Sequence, residues 1–597
     1  MERFYFKNYR EDKKIVYYAS WILLASILMG YLINNIPPVP TVFEMPDEAG
    51  YLWNAAYFLN VDWNEIGKSA FYGYGYSLFL IPAFVVTKTG VELIRISYLI
   101  NIFFVLGIYI IYCLLLKNLF ERKTIWTPVI SFIGCMMPYV VTNTYKVFCE
   151  VCLTFFCSLL ILFFYFTLKT RKLRYYLLSF ACAAFIPFIH VRGIVFVSVF
   201  LGAIIGDIYL KRKIRRKDIA MSIGIFLLIY VFFYILKKHN IDYRAQLRTD
   251  SGMSVNETNL LTINYFSKKV ISIIKNGLFD GGCSFITRVF YSINATGGTI
   301  FFVVPYMHEM VKKKFFFIKE KTKDDIYVKN YLFLYVFISN IISIVASVCN
   351  SVGSSIDYIF YGRYYEYTLP IFLVIGLYIW INERKCWKDK YFIGFILTEI
   401  VLGVFSWQWI FGYLEKTDYR IDTNRLMSFS KAIELNKDNF SHVIFYSILI
   451  ISILLIVFWL GFRSKNLRGV ALLVLVFFLW NVDSVCVETI QKIAFKGEKD
   501  VKLAEYIVSN NKEQKIYFLN DDSYKYEGVR YRMQILIKSK SVYELSSKEG
   551  LERCLGRIEP GDYIILYIDS KIKLDEKEEY HKIVEGTRFV LYKKINF

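Results

Sequence analysis

The chain has 597 residues, is 56% hydrophobic and 19% aromatic, and carries a formal net charge of +21. So apolar a composition exceeds what a soluble domain can bury beneath a polar coat. The basic residues sit in short clusters between apolar runs, not along one face, which argues against a nucleic-acid-binding domain. Its 11 cysteines lie mostly within apolar runs with no paired or CxxC spacing, so no disulfide framework is expected.

The first apolar run, Ile15 to Ile36, follows a basic N-terminus and is long enough to cross a hydrocarbon core of ~30 Å. Its exit through Pro37-Pro38-Val39-Pro40 lacks a small-x-small cleavage site, so a retained first helix is expected. The basic clusters Lys117 to Lys123, Lys169 to Arg174, Lys211 to Lys217, Lys312 to Lys323, Arg384 to Lys390 and Arg463 to Arg468 fall on alternate loops. With the N-terminus inside, all of them are cytoplasmic.

Between the clusters lie about thirteen runs near the length a crossing needs. The earlier ones are Ile15–Ile36, Leu93–Leu116, Ile125–Val141, Val147–Leu168, Tyr175–Ile189, Gly193–Leu210 and Ile219–Leu236. Then come Phe285–Val311, Tyr331–Cys349, Leu369–Ile381, Phe392–Phe411, Val443–Phe462 and Val470–Val485. The expected fold is an all-α polytopic membrane protein in the cell membrane, residues 1–485, followed by an extracytoplasmic α/β domain at 486–597. In that tail Asp500 to Ser509 has helical periodicity, and Lys515–Leu519, Tyr563–Ile568 and Phe589–Tyr592 read as strands. From Lys237 to about Gly282 a second outer loop is expected, with interfacial helices over Tyr265 to Leu278.

The first outer loop, 37–92, is longer than a helix hairpin requires. It opens with Glu44-Met45-Pro46-Asp47-Glu48, a helix-start signature of proline followed by two acids. The plain reading is a well-capped surface helix; the functional one holds Asp47 at the membrane surface as a base for an acceptor hydroxyl, with Glu48 orienting it. Further on, Tyr72-Gly73-Tyr74-Gly75-Tyr76-Ser77-Leu78 leads to Pro82, where two glycines permit close backbone approach and the apolar run suits a re-entrant or surface helix.

Three later sites carry charge at predicted outer helix ends. Lys146 and Glu150 begin the fourth run and form either an i,i+4 ion pair or part of a site. His190 and Arg192 occupy the turn between the fifth and sixth runs, either capping and snorkelling or facing an anionic headgroup. Before the tenth run, Gly362-Arg363-Tyr364-Tyr365-Glu366 combines an aromatic belt with an arginine able to fork onto phosphate. The sequence contains no GxxxxGK[ST], HExxH, GxGxxG after a strand, or Asp-x-Asp. Nucleotide-driven, zinc-protease, dinucleotide and metal-bound nucleotide-sugar chemistries therefore have no anchor.

Pro46-Asp47-Glu48 with Tyr51, the aromatic-Gly-Tyr-Ser-Leu stretch leading to Pro82, and the layout of spans with an outer C-terminal domain resemble the GT-C glycosyltransferases. The resemblance is to the protein O-mannosyltransferase and lipid A aminoarabinose transferase group. A Lys/His-Pro-Pro element usual there is replaced by Tyr72-Gly73-Tyr74-Gly75-Tyr76, with Lys68 upstream. The resemblance implies a sugar transfer from a polyprenyl-phosphate donor to a glycan, lipid or protein acceptor on the outer face. Asp47 and Glu48 would be catalytic, Arg363, Arg192 and Lys68 would hold phosphate, and Glu150, His190, Tyr364 and Glu366 would position groups. A divalent cation, Mg or Mn, is an optional cofactor in this reading. The rivals are a lipid-linked oligosaccharide flippase and a polysaccharide polymerase; acids gathered in outer loops favour transfer chemistry over a midplane transport site.

Overall fold

The computed structural model describes residues 2–39, 46–63, 73–120, 124–210, 215–250, 271, 278–312, 324–351, 362–383, 386–417, 421–422, 434–435, 437–510, 513–521, 528–546 and 550–595. The helices in chain order are α1 (Glu2–Asn34), α2 (Pro46–Phe58), α3 (Gly75–Val86), α4 (Gly90–Leu119), α5 (Trp126–Cys135), α6 (Pro138–Thr144) and α7 (Glu150–Thr170). They continue with α8 (Leu173–Ile189), α9 (Gly193–Tyr209), α10 (Arg216–Asp250), α11 (Leu278–Ala295), α12 (Val303–Lys312) and α13 (Asp324–Ser351). The membrane half closes with α14 (Leu369–Asn382), α15 (Asp389–Thr417), α16 (Lys437–Arg463) and α17 (Arg468–Lys496). A two-stranded antiparallel ribbon, β1 (Ile421–Asp422) and β2 (Glu434–Leu435), lies between α15 and α16.

Among the described residues, eight helices are long and apolar enough to cross a membrane, and five shorter apolar helices accompany them. Two predicted spans break. Ile125–Val141 divides into α5 and α6 because Pro138, at the first turn of α6, cannot continue the helix before it. Phe285–Val311 divides at Gly297 and Gly298, whose positive φ angles of 58° and 78° end α11 and open a 3-10 turn, Thr299–Phe302. Hydropathy saw one apolar run in each case, and the turn chemistry inside it decided otherwise.

The loop expected from Lys237 is also corrected, since α10 stays helical to Asp250. Aromatic packing accounts for the extension. The Tyr243 ring lies tilted against that of Tyr57 at 5.1 Å, Trp53 stacks on Tyr57 at 5.2 Å, and the Tyr57 hydroxyl meets His239 Nδ1 at 2.8 Å. The amphipathic stretch Tyr265 to Leu278 lies almost wholly outside the described residues.

α17 runs on to Lys496, and Gly497 separates it from α18 (Glu498–Asn510). After it come β3 (Ile516–Asn520), α19 (Gly528–Ile537), β4 (Val542–Ser546), α20 (Leu551–Gly556), β5 (Tyr563–Tyr567), β6 (Tyr580–Glu585) and β7 (Phe589–Lys594). These build a five-stranded sheet in the order β4-β3-β5-β7-β6. β3 pairs in parallel with β4 and β5, which needs the helical crossovers α19 and α20, whereas β5, β7 and β6 pair antiparallel. Of the cysteines, all but Cys349 and Cys486 are buried.

Candidate functional site

The acidic start of α2 is used from within the protein. Glu48 is fully buried, and its Oε1 accepts the Val147 N–H at 3.0 Å. One turn on, the Tyr51 hydroxyl donates to Cys149 Sγ at 2.8 Å, so one face of α2 grips the segment before α7 at two points. Asn101 of α4 grips the same segment, donating to Lys146 O at 2.8 Å and Thr144 O at 3.3 Å while accepting from the Tyr76 hydroxyl at 3.0 Å. Tyr145 donates to Leu32 O of α1 at 2.9 Å. Residues 144–149 are thus a hub held by α1, α2, α3 and α4.

The hub delivers Glu150 as the first residue of α7, where an acid is favoured by the exposed N–H groups of the helix start. Glu150 is fully buried, and a single oxygen, Oε1, receives Arg363 Nε at 2.5 Å and Arg192 Nη2 at 2.9 Å. Its other oxygen, Oε2, is buried with no hydrogen-bond partner among the described residues. The alternative of a Lys146–Glu150 pair gives way to this arrangement, and the Lys146 ammonium stands 5.8 Å from the centroid of the Phe148 ring. Arg363 lies 4.4 Å from that same centroid, within cation–π range.

Arg192 is the N-cap residue of α9, and its Nη1 donates to Arg363 O. Its main-chain N–H and its Nε both donate to His190 Nδ1 at 3.1 Å. That fixes the His190 proton on Nε2, because Nδ1 must present a lone pair. Burial, and then the neighbouring Arg192 cation, hold the His190 imidazole well below its ordinary range, so it stays neutral. Tyr364 presents its ring 5.6 Å from the Arg192 guanidinium.

Glycines bring α3 onto this cluster. A Cβ at Gly73 would lie 2.5 Å from Phe188 O, and one at Gly75 would lie 2.7 Å from Ile189 N. The close approach that the glycine pair allows is therefore to the protein's own backbone, just ahead of His190 and Arg192.

Five of the residues singled out in the sequence, Glu150, His190, Arg192, Arg363 and Tyr364, meet in one place. Glu48 is tied to the hub beside them. Glu366 is fully buried and accepts from the Tyr291 hydroxyl of α11. Asp47 belongs to the first turn of α2, next to Glu48, while its side chain lies outside the described set; Lys68 lies outside the described residues altogether. Phe148, Asn101 and Tyr291 were not legible beforehand, each being one more apolar or neutral residue within a hydrophobic run. Among the described residues, no group of three or more His, Cys, Asp or Glu side chains is arranged to hold a metal ion.

Chemically, the cluster presents two guanidinium forks drawn together by one carboxylate oxygen. Removal from water makes a guanidinium a strong partner for an anionic oxygen.

No family model matches the chain, and no curated protein matches it. Among solved structures, the chain is similar to ArnT from Cupriavidus metallidurans bound to undecaprenyl phosphate and to the same ArnT in the apo state. Each likeness has 10% sequence identity and a TM-score of 0.49, covering 96% of this chain and 97% of that one. A likeness of that size assigns no activity to this chain.

Proposed function

We propose that this protein is a membrane glycosyltransferase that moves a sugar from a polyprenyl-phosphate-linked donor to an acceptor hydroxyl on the outer face of the membrane. The observation that carries the reading is the convergence of Arg192 and Arg363 on Glu150 Oε1, two buried cations set side by side at the ends of apolar helices. In this reading the acceptor oxygen bonds to the anomeric carbon as the bond from that carbon to the phosphate oxygen breaks. The electron pair leaves with the polyprenyl phosphate, whose negative charge rises by one. Arg192 and Arg363 stabilise that added charge, so the leaving group needs no general acid.

Asp47 takes the acceptor proton. Glu48, pinned to the Val147 N–H, fixes the first turn of α2, to which Asp47 belongs. Glu150 and His190 hold the two arginines: the carboxylate draws the forks together and the neutral imidazole accepts from Arg192 without adding a third cation.

The test is to incubate the purified protein in liposomes with a panel of radiolabelled polyprenyl-phosphate sugars and a mixed acceptor extract, with and without Mg or Mn. Label leaving the carrier for an acceptor is the expected result. Label crossing the bilayer while still joined to its carrier would replace the reading with a flippase.

A further inference from the structure

The C-terminal domain touches the first outer loop through a lysine. Lys538 follows α19 and ends that helix in the left-handed region, with φ 38° and its N–H bonded to Gln534 O at 3.0 Å. Glycine or asparagine is the usual residue at such a helix stop, and a lysine there carries a conformational cost. Its side chain accounts for the choice. Lys538 is buried, and its ammonium donates to Phe84 O at 2.8 Å, to Thr87 Oγ1 at 2.9 Å and to Thr87 O. All three donor positions of the ammonium are used on the last turn of α3, where main-chain carbonyls lack helical partners and the helix dipole favours a cation.

Neighbouring contacts close the same joint. Trp63 Nε1 donates to Lys538 O at 2.9 Å, and Ser541 Oγ donates to Asp62 O at 2.5 Å. At Gly90, the first residue of α4, an added Cβ would lie 2.1 Å from Ile535 O of α19. The domain thus holds the chain just after α2 and just after α3.

From that joint α3 runs 12 residues, about 18 Å, to the site. Its far end is pressed through Gly73 and Gly75 onto the backbone of Phe188 and Ile189, and Tyr76 reaches the hub through Asn101. Tyr76 also meets the Tyr51 ring of α2 edge-on at 5.4 Å. A shift of α3 along its axis would therefore move the Arg192 turn, the hub and α2 together.

We propose that Lys538 is a positioning residue, and that the C-terminal domain acts through it and through α3 as a strut that holds the Arg192 turn and the first turn of α2 in register. The turnover half of this inference rests on the reading given under Proposed function; the mechanical half does not.

Two variants separate the ammonium from its strained backbone. Lys538→Gly removes the charge and relieves the left-handed conformation, whereas Lys538→Met keeps the aliphatic stem and the strain. Hydrogen–deuterium exchange on the full-length protein in detergent, with no substrate present, reads the strut directly. Both variants should lose protection in α3 and in residues 188–193, with α13 and α16 unchanged. Exchange in 188–193 identical to wild type would overturn the proposal whether or not the protein transfers sugar.

For turnover, both variants should lose about 10- to 100-fold in kcat with donor KM changed little, since misplacement of about 1 Å can cost that much. Methylammonium or ethylammonium should restore part of the rate to Lys538→Gly by filling the vacated carbonyl cage. Wild-type kcat in both variants would overturn the positioning role. A wild-type protein that transfers no sugar, with variants that still lose protection at 188–193, would sink the glycosyltransferase reading and leave the strut standing.

Discussion

The two ends of α7 each carry a buried arginine–carboxylate cluster, some 30 Å apart over its 21 residues. At the C-terminal end Arg171 grips Asp207 of α9 with both terminal nitrogens, one at 3.1 Å to Oδ1, and the Tyr327 hydroxyl adds a bond to Oδ1 at 2.7 Å. Every carboxylate oxygen is occupied and one cation faces one anion. At the N-terminal end two arginines share one oxygen of Glu150, and the other oxygen has no partner among the described residues. The same helix pair, α7 and α9, contributes to both clusters, joined by Arg363 at one end and Tyr327 at the other. The first arrangement is a helix staple, whereas the second gathers two guanidiniums on one carboxylate oxygen, the kind of cationic pair that suits a ligand bringing oxygen and negative charge.

The sharpest way to break this contrast is at the acid proposed as the base, in the first turn of α2. Asp47→Asn keeps side-chain volume and removes the proton acceptor, so transfer should fall by about 10²- to 10⁴-fold, with the thermal midpoint and carrier binding unmoved. Wild-type turnover in a purified sample would remove Asp47 as the base.

Next in size are the arginines. Arg363→Ala should lower kcat by about 10²- to 10³-fold at saturating acceptor, as for loss of a donor to developing negative charge. Arg363→Lys should remain impaired, because a point charge keeps attraction and loses the fork. Full activity in both variants would reduce this end of α7 to a second staple.

The balanced end makes the opposite prediction. Asp207→Ala leaves Arg171 without its counter-ion, and because that arginine is 23% exposed the cost should be about 2–3 kcal/mol, below that of a fully buried pair. Specific activity per folded molecule should stay within about twofold, since the site lies far beyond the range at which substitutions couple. A large loss of kcat with unchanged stability would show that the two ends are not independent.

The smallest effect is one of pH. His190 ordinarily titrates near 6.5 and is held well below that in the folded protein, so below pH 6.5 the unfolded chain binds a proton that the folded one refuses. Stability from this residue is intact above pH 6.5 and is lost as pH falls, with a limiting slope of about 1.4 kcal/mol per pH unit. Denaturation midpoints of wild type and His190→Asn between pH 7 and 5 should diverge. Parallel curves would mean that His190 takes up its proton equally in the folded and unfolded states.

Much of this was legible because charge is scarce at those ends of the apolar runs that the basic clusters leave free: Glu150, Arg192 and Arg363 each drew notice alone. Their meeting was not legible, since Arg192 lies 42 residues and Arg363 213 residues from Glu150, and no local period relates them. Pro46 marked the start of α2 correctly through its fixed φ and missing N–H. Pro138 and Gly297-Gly298 gave equally physical signals inside Ile125–Val141 and Phe285–Val311, but hydropathy summed over a whole run outweighed them. Lys538 gave none. It is one of 72 basic residues, it stands at a helix stop where sequence rules expect glycine, and its three acceptors are 451 to 454 residues away.

The burial of the cysteines has a practical side. Maleimide chemistry on intact cells needs a background free of reactive thiols, and here the native thiols are shielded, with Cys349 and Cys486 only partly accessible. Replacing those two leaves a chain in which a single cysteine, placed at an exposed position such as Glu505 of α18 or Lys388 ahead of α15, reports which side of the membrane it occupies. The close packing that excludes water from those sulfurs thus turns the protein into its own blank for mapping the two faces of the membrane.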